Sequence, residues 1–125
     1  MAIRLDPQDS DAYYNRGLSY AGLGQYQRSV QDLDVAIRLD PTDATAYNNR
    51  GVAHRRLGQY DRAVADYGEA LRHNPDYSLA YFNRAQTYTL QGKDIEAQAD
   101  VEGAVELGFD REHLDRVIDD IKRKR

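Results

Sequence analysis

The chain has 125 residues, of which 41% are hydrophobic and 30% charged, with a formal net charge of −4. That is one domain's worth of chain, too charged for a membrane protein and too apolar for a disordered one, and no stretch approaches the roughly 20 apolar residues of a membrane span. The absence of cysteine excludes disulfide and thiolate chemistry, and the acidic balance argues against a general nucleic-acid binder.

The chain opens on Ala-Ile-Arg-Leu-Asp-Pro at 2–7, and the same six residues return at 36–41, an offset of 34. Leu-Gly-Gln-Tyr at 23–26 returns at 57–60 with the same offset. Further columns recur in threes: Tyr13, Tyr47 and Tyr81; Gly24, Gly58 and Gly92; Ala36, Ala70 and Ala104. So many coincidences at one period mark a repeat array. The segment 2–9 reads as the tail of a truncated unit, as in a piece cut from a longer array. Repeat 1 spans 10–43, repeat 2 spans 44–77 and repeat 3 spans 78–111.

Within a unit the pattern predicts two helices. Tyr47, Gly51, His54 and Leu57 share one helical face, and Tyr60, Ala63, Tyr67, Ala70 and Leu71 share the next. Gly24, Gly58 and Gly92 stand where glycines end helices, and Pro41 and Pro75 follow the second helix of a pair. Asp9 and Asp43 are placed to cap the helices that begin after them. Small residues Gly17, Gly51 and Ala85 are expected to let paired helices approach closely. The segment 112–125 reads as a capping helix, with Leu114, Val117, Ile118 and Ile121 on one face. Its acidic start and basic end suit the helix dipole.

A 34-residue period with aromatic, small, late-alanine and proline columns resembles the tetratricopeptide repeat (TPR) family. Tyr13, Gly17, Tyr20, Ala36 and Pro41 carry the likeness in the first unit. Tyr47, Gly51, Ala63, Tyr67, Ala70 and Pro75 carry it in the second, and Tyr81, Ala85, Tyr88, Ala97 and Ala104 in the third. Several positions depart from the pattern. Tyrosine replaces the usual tryptophan, and arginine at 16, 50 and 84 fills a column that usually holds leucine. His54 fills an aromatic column, Ser29 an alanine one, and Phe109 the place of a third proline. The resemblance implies an all-α fold, a right-handed α-solenoid of helix-turn-helix units.

Catalysis has little support. No nucleophile has a base and an orienting partner, and His54, His73 and His113 show no metal-ligand spacing. No enzyme activity, cofactor or metal is expected. A basic ladder for an anion is one reading of Arg16, Arg50 and Arg84; the favoured expectation is structural pairing with Asp32, Asp66 and Asp100, each sixteen residues on. Pairing with a carboxylate suits the planar guanidinium. An aspartate can also pair with the arginine of the following unit, eighteen residues on.

The resemblance further implies that the first helix of each unit lines a concave, peptide-binding groove. The matching positions are Tyr14, Asn15 and Leu18; Asn48, Asn49, Val52, Arg55 and Arg56; and Phe82, Asn83, Gln86 and Leu90. The amides of Asn15, Asn49 and Asn83 can hold a peptide backbone by donor and acceptor together, or can bond neighbouring helices or water. Arg55 and Arg56 put positive charge in mid-groove, which favours an acidic group on the ligand. The family's carboxylate clamp for chaperone tails needs lysines and asparagines where this chain has Tyr14, Leu18, Val52, Leu79 and Asn83, so a chaperone tail is not expected. The function expected is a non-enzymatic protein-interaction scaffold for an extended peptide, with no nucleic acid and no membrane as partner. The alternative is a homo-oligomer that stacks or exchanges repeats at its N-terminal end, where Ile3 and Leu5 are not expected to cover the first hairpin fully.

Overall fold

The computed structural model describes residues 8–125. Among them, seven helices run in chain order: α1 (Ser10–Gly22), α2 (Tyr26–Leu39), α3 (Ala44–Arg56), α4 (Tyr60–His73), α5 (Ser78–Leu90), α6 (Asp94–Glu106) and α7 (Arg111–Lys124). The fold is an all-α solenoid of helical hairpins. The hexapeptide at 2–7, with Ile3 and Leu5, lies outside the described residues.

Local chemistry sets the helix ends. The Asp9 carboxylate accepts from the Ala12 N–H at 3.1 Å, and Asp43 from the Thr45 N–H at 3.0 Å, each satisfying an orphan donor of the first turn. Tyr77 holds that place before α5, which has no side-chain cap. At the other end of α3 the chain reverses through Gly58, whose φ of +78° is costly for any residue with a Cβ. The Gly58 and Gln59 N–H groups then close on the carbonyls of Arg55 and His54 at 2.9 and 2.8 Å. The helices α2 and α4 stop at Leu39 and His73, two residues short of Pro41 and Pro75. A proline pushes the residue before it out of the helical basin.

Each hairpin closes on a small residue set against a larger one. A Cβ on Gly17 would lie 3.1 Å from Leu33 Cγ, and one on Gly51 only 2.7 Å from Tyr67 Cε1. The third unit has Ala85 with Val101, both in one core cluster, so a larger small residue meets a smaller large one. The main core crosses units. Ile37 of α2, Ala46 and Tyr47 of α3, Ala70 and Leu71 of α4 and Ala80 of α5 form a single cluster. No unit buries its apolar face by itself.

Among the described residues, α1 touches α3 and α3 touches α5, whereas α2 does not touch α4 and α4 does not touch α6. First helices therefore crowd together while second helices splay, and the array curves with α1, α3 and α5 on its inner side. The last helix departs from this order. It packs chiefly on α5 and only marginally on α6, burying Leu114 and Ile118 against Ala85, Val101 and Ala104. Arg111 pairs with Glu102 at 2.6 Å at one end of α7, and Arg125 pairs with Asp94 at 2.7 Å at the other. At the period of 34, Asp115, Asp119 and Lys122 of α7 occupy the columns of Tyr13, Gly17 and Tyr20. In a hairpin those columns receive the second helix; in α7 all three are charged and exposed.

Candidate functional site: the inner face of the first helices

Hydrogen bonds join successive inner helices. The Asn49 amide donates to the Tyr14 hydroxyl at 3.0 Å, and the Asn83 amide donates to Asn48 Oδ1 at 3.0 Å. The two bonds are one rung repeated, since both span 35 residues. The three amides of the asparagine column thus have unlike surroundings. Asn15 is exposed, Asn49 is half-buried, and Asn83 is 6% exposed beside an Asn48 that is 1% exposed. The physical reason is position in the array. Each rung needs a preceding inner helix, and among the described residues α1 has none. Asn15 is therefore the amide of this column left with both its donor and its acceptor turned to solvent, whereas the Asn83 N–H is spent on the Asn48 oxygen.

Helical spacing extends the same face toward the end of α3. Val52 follows Asn48 by four residues, and Arg55 and Arg56 follow Val52 by three and four. Val52 and Arg55 are half-buried and Arg56 is exposed. On α1 the face offers half-buried Tyr14 and exposed Leu18; on α5 it offers exposed Leu79, half-buried Gln86 and exposed Leu90. Phe82 is half-buried, with the ring of Phe109, in the turn before α7, and that of His113, on α7, centred 5.4 and 6.1 Å away. The third unit's share of the face is therefore partly covered from within the chain.

The arginine column lies on another flank of the same helices. Arg16 donates to Asp32 at 2.7 and 2.8 Å, Arg50 to Asp66 at 2.9 and 2.7 Å, and Arg84 to Asp100 at 2.7 Å twice. Each is bidentate and bridges the two helices of one hairpin. Tyrosine rings flank the guanidiniums: Tyr13 and Tyr20 lie 5.9 and 5.8 Å from Arg16, and Tyr81 and Tyr88 both lie 5.8 Å from Arg84. Tyr47 lies 5.7 Å from Arg50, and His54 holds the second ring's place. The His54 Nε2 is 3.6 Å from Asp66, and its Nδ1 meets Gln59 Oε1 at 2.7 Å. Hydrogen bonding to the aspartates raises all three arginines above their ordinary value, against burial that opposes it. Burial pushes the Tyr67 phenol up to about 12, so it stays neutral in the core.

Two features of these flanks are absent from the sequence reading. Arg50 takes a second carboxylate, Asp34 of the preceding unit, at 3.0 Å. The sign of it was present in the chain, because Asp34 precedes Arg50 by the same sixteen residues that separate Arg50 from Asp66. Arg125 also donates to the Thr89 carbonyl at 2.8 Å, which ties the chain's last residue to α5. The spacing of eighteen between Asp32 and Arg50 is not used. Among the described residues no three His, Cys, Asp or Glu side chains group as a metal would need, and no helix is long and apolar enough to cross a membrane.

Comparison with known proteins agrees with the architecture. Family models described as tetratricopeptide repeat match residues 44–77 and, in a second model, residues 1–31 and 67–99; a model described as TPR repeat matches 19–58. No curated protein matches the chain in sequence. Among solved structures, the first TPR of Spaghetti (RPAP3) bound to the HSP90 peptide SRMEEVD superposes with a TM-score of 0.85 at 24% identity, covering 98% of each chain. The second TPR domain of human RPAP3, solved with the HSP70 peptide SGPTIEEVD, gives 0.83 at 26% identity, covering 94% of this chain and 98% of that one. MamA gives 0.80 at 27% identity, covering 82% of this chain and 60% of that one. With its 34-residue units matched by three models and its hairpins superposing on solved examples, the chain belongs to the tetratricopeptide repeat family.

Proposed function

We propose that the inner face of α1, α3 and α5 binds an extended peptide segment of a partner protein, and that the segment carries an acidic group. The supporting observation is the contrast between the rungs and the cations beside them. The Asn49 and Asn83 amides already donate to the preceding inner helix, whereas Arg55 and Arg56 reach the same face without an ion pair to any described carboxylate. A chain of net charge −4 that keeps two adjacent arginines unpaired there offers a local attraction for a carboxylate. The human RPAP3 domain was solved with a peptide ending in Glu-Glu-Val-Asp, so this fold accommodates acidic segments. Tyr14, Leu18, Val52, Leu79 and Asn83 leave the chaperone-tail clamp unbuilt, so the acidic group falls to Arg55 and Arg56. Asn15 and the free oxygen of Asn49 hold backbone, Tyr14, Leu18, Val52 and Phe82 take apolar side chains, Gln86 offers a further polar contact, and Asn48 with Asn83 keeps α3 and α5 in register. Ordering a flexible peptide opposes association, so the affinity is modest.

The test is a panel of extended peptides of equal length, acidic and neutral, titrated against the wild type and the Arg55→Ala/Arg56→Ala variant. Acidic members should bind with strong salt dependence, and the double variant should lose at least about tenfold. Equal binding of neutral members, or unchanged affinity in the variant with helicity intact, overturns the reading. A second reading, self-association through the outer flank of α1, is favoured by one observation. Ser19 is exposed and Leu23 is 70% exposed, whereas Ala53 and Thr87, in the Ser19 column, are buried. A constant monomer mass in sedimentation over a range of concentrations rejects it.

A further inference from the structure

Arg50 and Arg84 occupy the same place in successive units, and the carboxylates around them differ by one. Arg50 uses Nε and Nη2 for Asp66 and gives Nη1 to Asp34 of the preceding unit at 3.0 Å. Arg84 uses Nε and Nη2 for Asp100, and its Nη1 makes no hydrogen bond among the described residues. The residue that stands 34 places after Asp34 is Gly68, and a Cβ built there would lie 3.8 Å from Arg84 Nη1. A notch thus opens beside one prong of a guanidinium that is otherwise fully engaged. Glu69, the next residue, does not fill it, being held by Arg72 at 2.8 Å.

We propose that this notch is a second binding site, which takes the carboxylate of an acidic side chain presented by a partner protein. The chain itself shows the chemistry, because Asp34 is the carboxylate that fills the equivalent place one unit earlier. It also shows the access: the Asp34 side chain is 51% exposed, so a carboxylate in that position meets solvent and can arrive from outside. The receiving group is prepared. Asp100 and the rings of Tyr81 and Tyr88 fix the Arg84 guanidinium in orientation, so little side-chain freedom is lost on binding. The site is separate from the inner face, since Arg84 stands two residues from both Phe82 and Gln86, roughly 200° around the helix. It therefore does not depend on the peptide reading above, and one partner can engage either face or both.

The test follows the Arg84 and Arg50 guanidinium Nε–H signals by NMR while N-acetyl-aspartate methylamide is added at constant ionic strength. Arg84 should shift and saturate at millimolar probe, with Arg50 flat because Asp34 already fills its notch. Gly68→Ala, whose Cβ meets Arg84 at ordinary contact distance, should keep the response. Gly68→Asp should weaken it at least tenfold by supplying the carboxylate internally. Asp34→Gly should open the equivalent notch and make Arg50 respond as Arg84 does. An Arg84 response no larger than that of Arg50 in the wild type overturns the proposal, as does a silent Arg50 in Asp34→Gly. A stronger shift of Arg84 with inorganic phosphate than with the carboxylate probe also overturns it.

Discussion

At the scale of single residues, the three units differ where packing is tightest. The Tyr67 ring occupies the space a side chain on Gly51 would need, at 2.7 Å from the added Cβ. Gly51→Ala gains up to about 1 kcal/mol of helix propensity, but overpacking against a rigid ring costs about 1–3 kcal/mol, and the second effect should win. Gly22→Ala meets nothing within 4 Å and should stabilise the chain, which makes it the control. Adding Tyr67→Val to Gly51→Ala copies the Ala85–Val101 pair of the third unit. In chemical denaturation the double variant should be more stable than the sum of the two single changes; strict additivity would mean that the glycine and the ring are not coupled. The arginine pairs give a second comparison. Asp66→Leu leaves Arg50 with Asp34, whereas Asp100→Leu leaves Arg84 with no carboxylate partner. The second change should therefore cost more, by about 1 kcal/mol, and equal losses would deny Asp34 any part in holding Arg50.

At the scale of elements, caps and clamps decide which helices hold. Asp43→Ala removes the acceptor for the first turn of α3 and should cost about 1 kcal/mol. The helix α7 is held by exposed ion pairs at both ends, and hydrogen bonds from Arg125 and Arg111 depress the Asp94 and Glu102 carboxyls below their ordinary range. A depressed carboxyl contributes stability that is complete above its unfolded value, about pH 4.3 for glutamate and 3.9 for aspartate. That contribution is lost as pH falls through the lower native value. Acid should therefore loosen α7 before the hairpins, seen as earlier changes in the Phe82, Phe109 and His113 ring signals than in Tyr47 and Tyr67. Identical acid profiles for the wild type and Arg125→Gln would show that the clamp contributes nothing.

At the scale of the whole molecule, the cluster that runs from Ile37 through Tyr47 and Leu71 to Ala80 binds α2, α3, α4 and α5 into one body. Stability in such an array is the sum of weak units and strong interfaces. Removing residues 111–125 uncovers the Val101 and Ala104 surface that Leu114 and Ile118 bury. The third hairpin should then exchange its amides faster, while α3 and α4 keep most of their protection. Uniform loss across all helices would show a single cooperative unit with no nearest-neighbour structure.

Most of the architecture is legible in the chain, because a 34-residue period, turn glycines and prolines act through backbone geometry that neighbours in sequence already determine. Arg16 with Asp32 was readable for a similar reason: a hairpin of constant length brings residues sixteen apart face to face. What only the tertiary structure decided is how each column is spent. Asn15, Asn49 and Asn83 are identical in sequence, yet one faces solvent, one meets a hydroxyl and one is buried against another amide. Arg50 and Arg84 are likewise identical, and a glycine on a neighbouring helix leaves one of them a free donor. A repeat specifies the shape of a unit through contacts within it. The fate of a polar group depends on the unit beside it, and that neighbour is set by contacts between helices far apart in the chain.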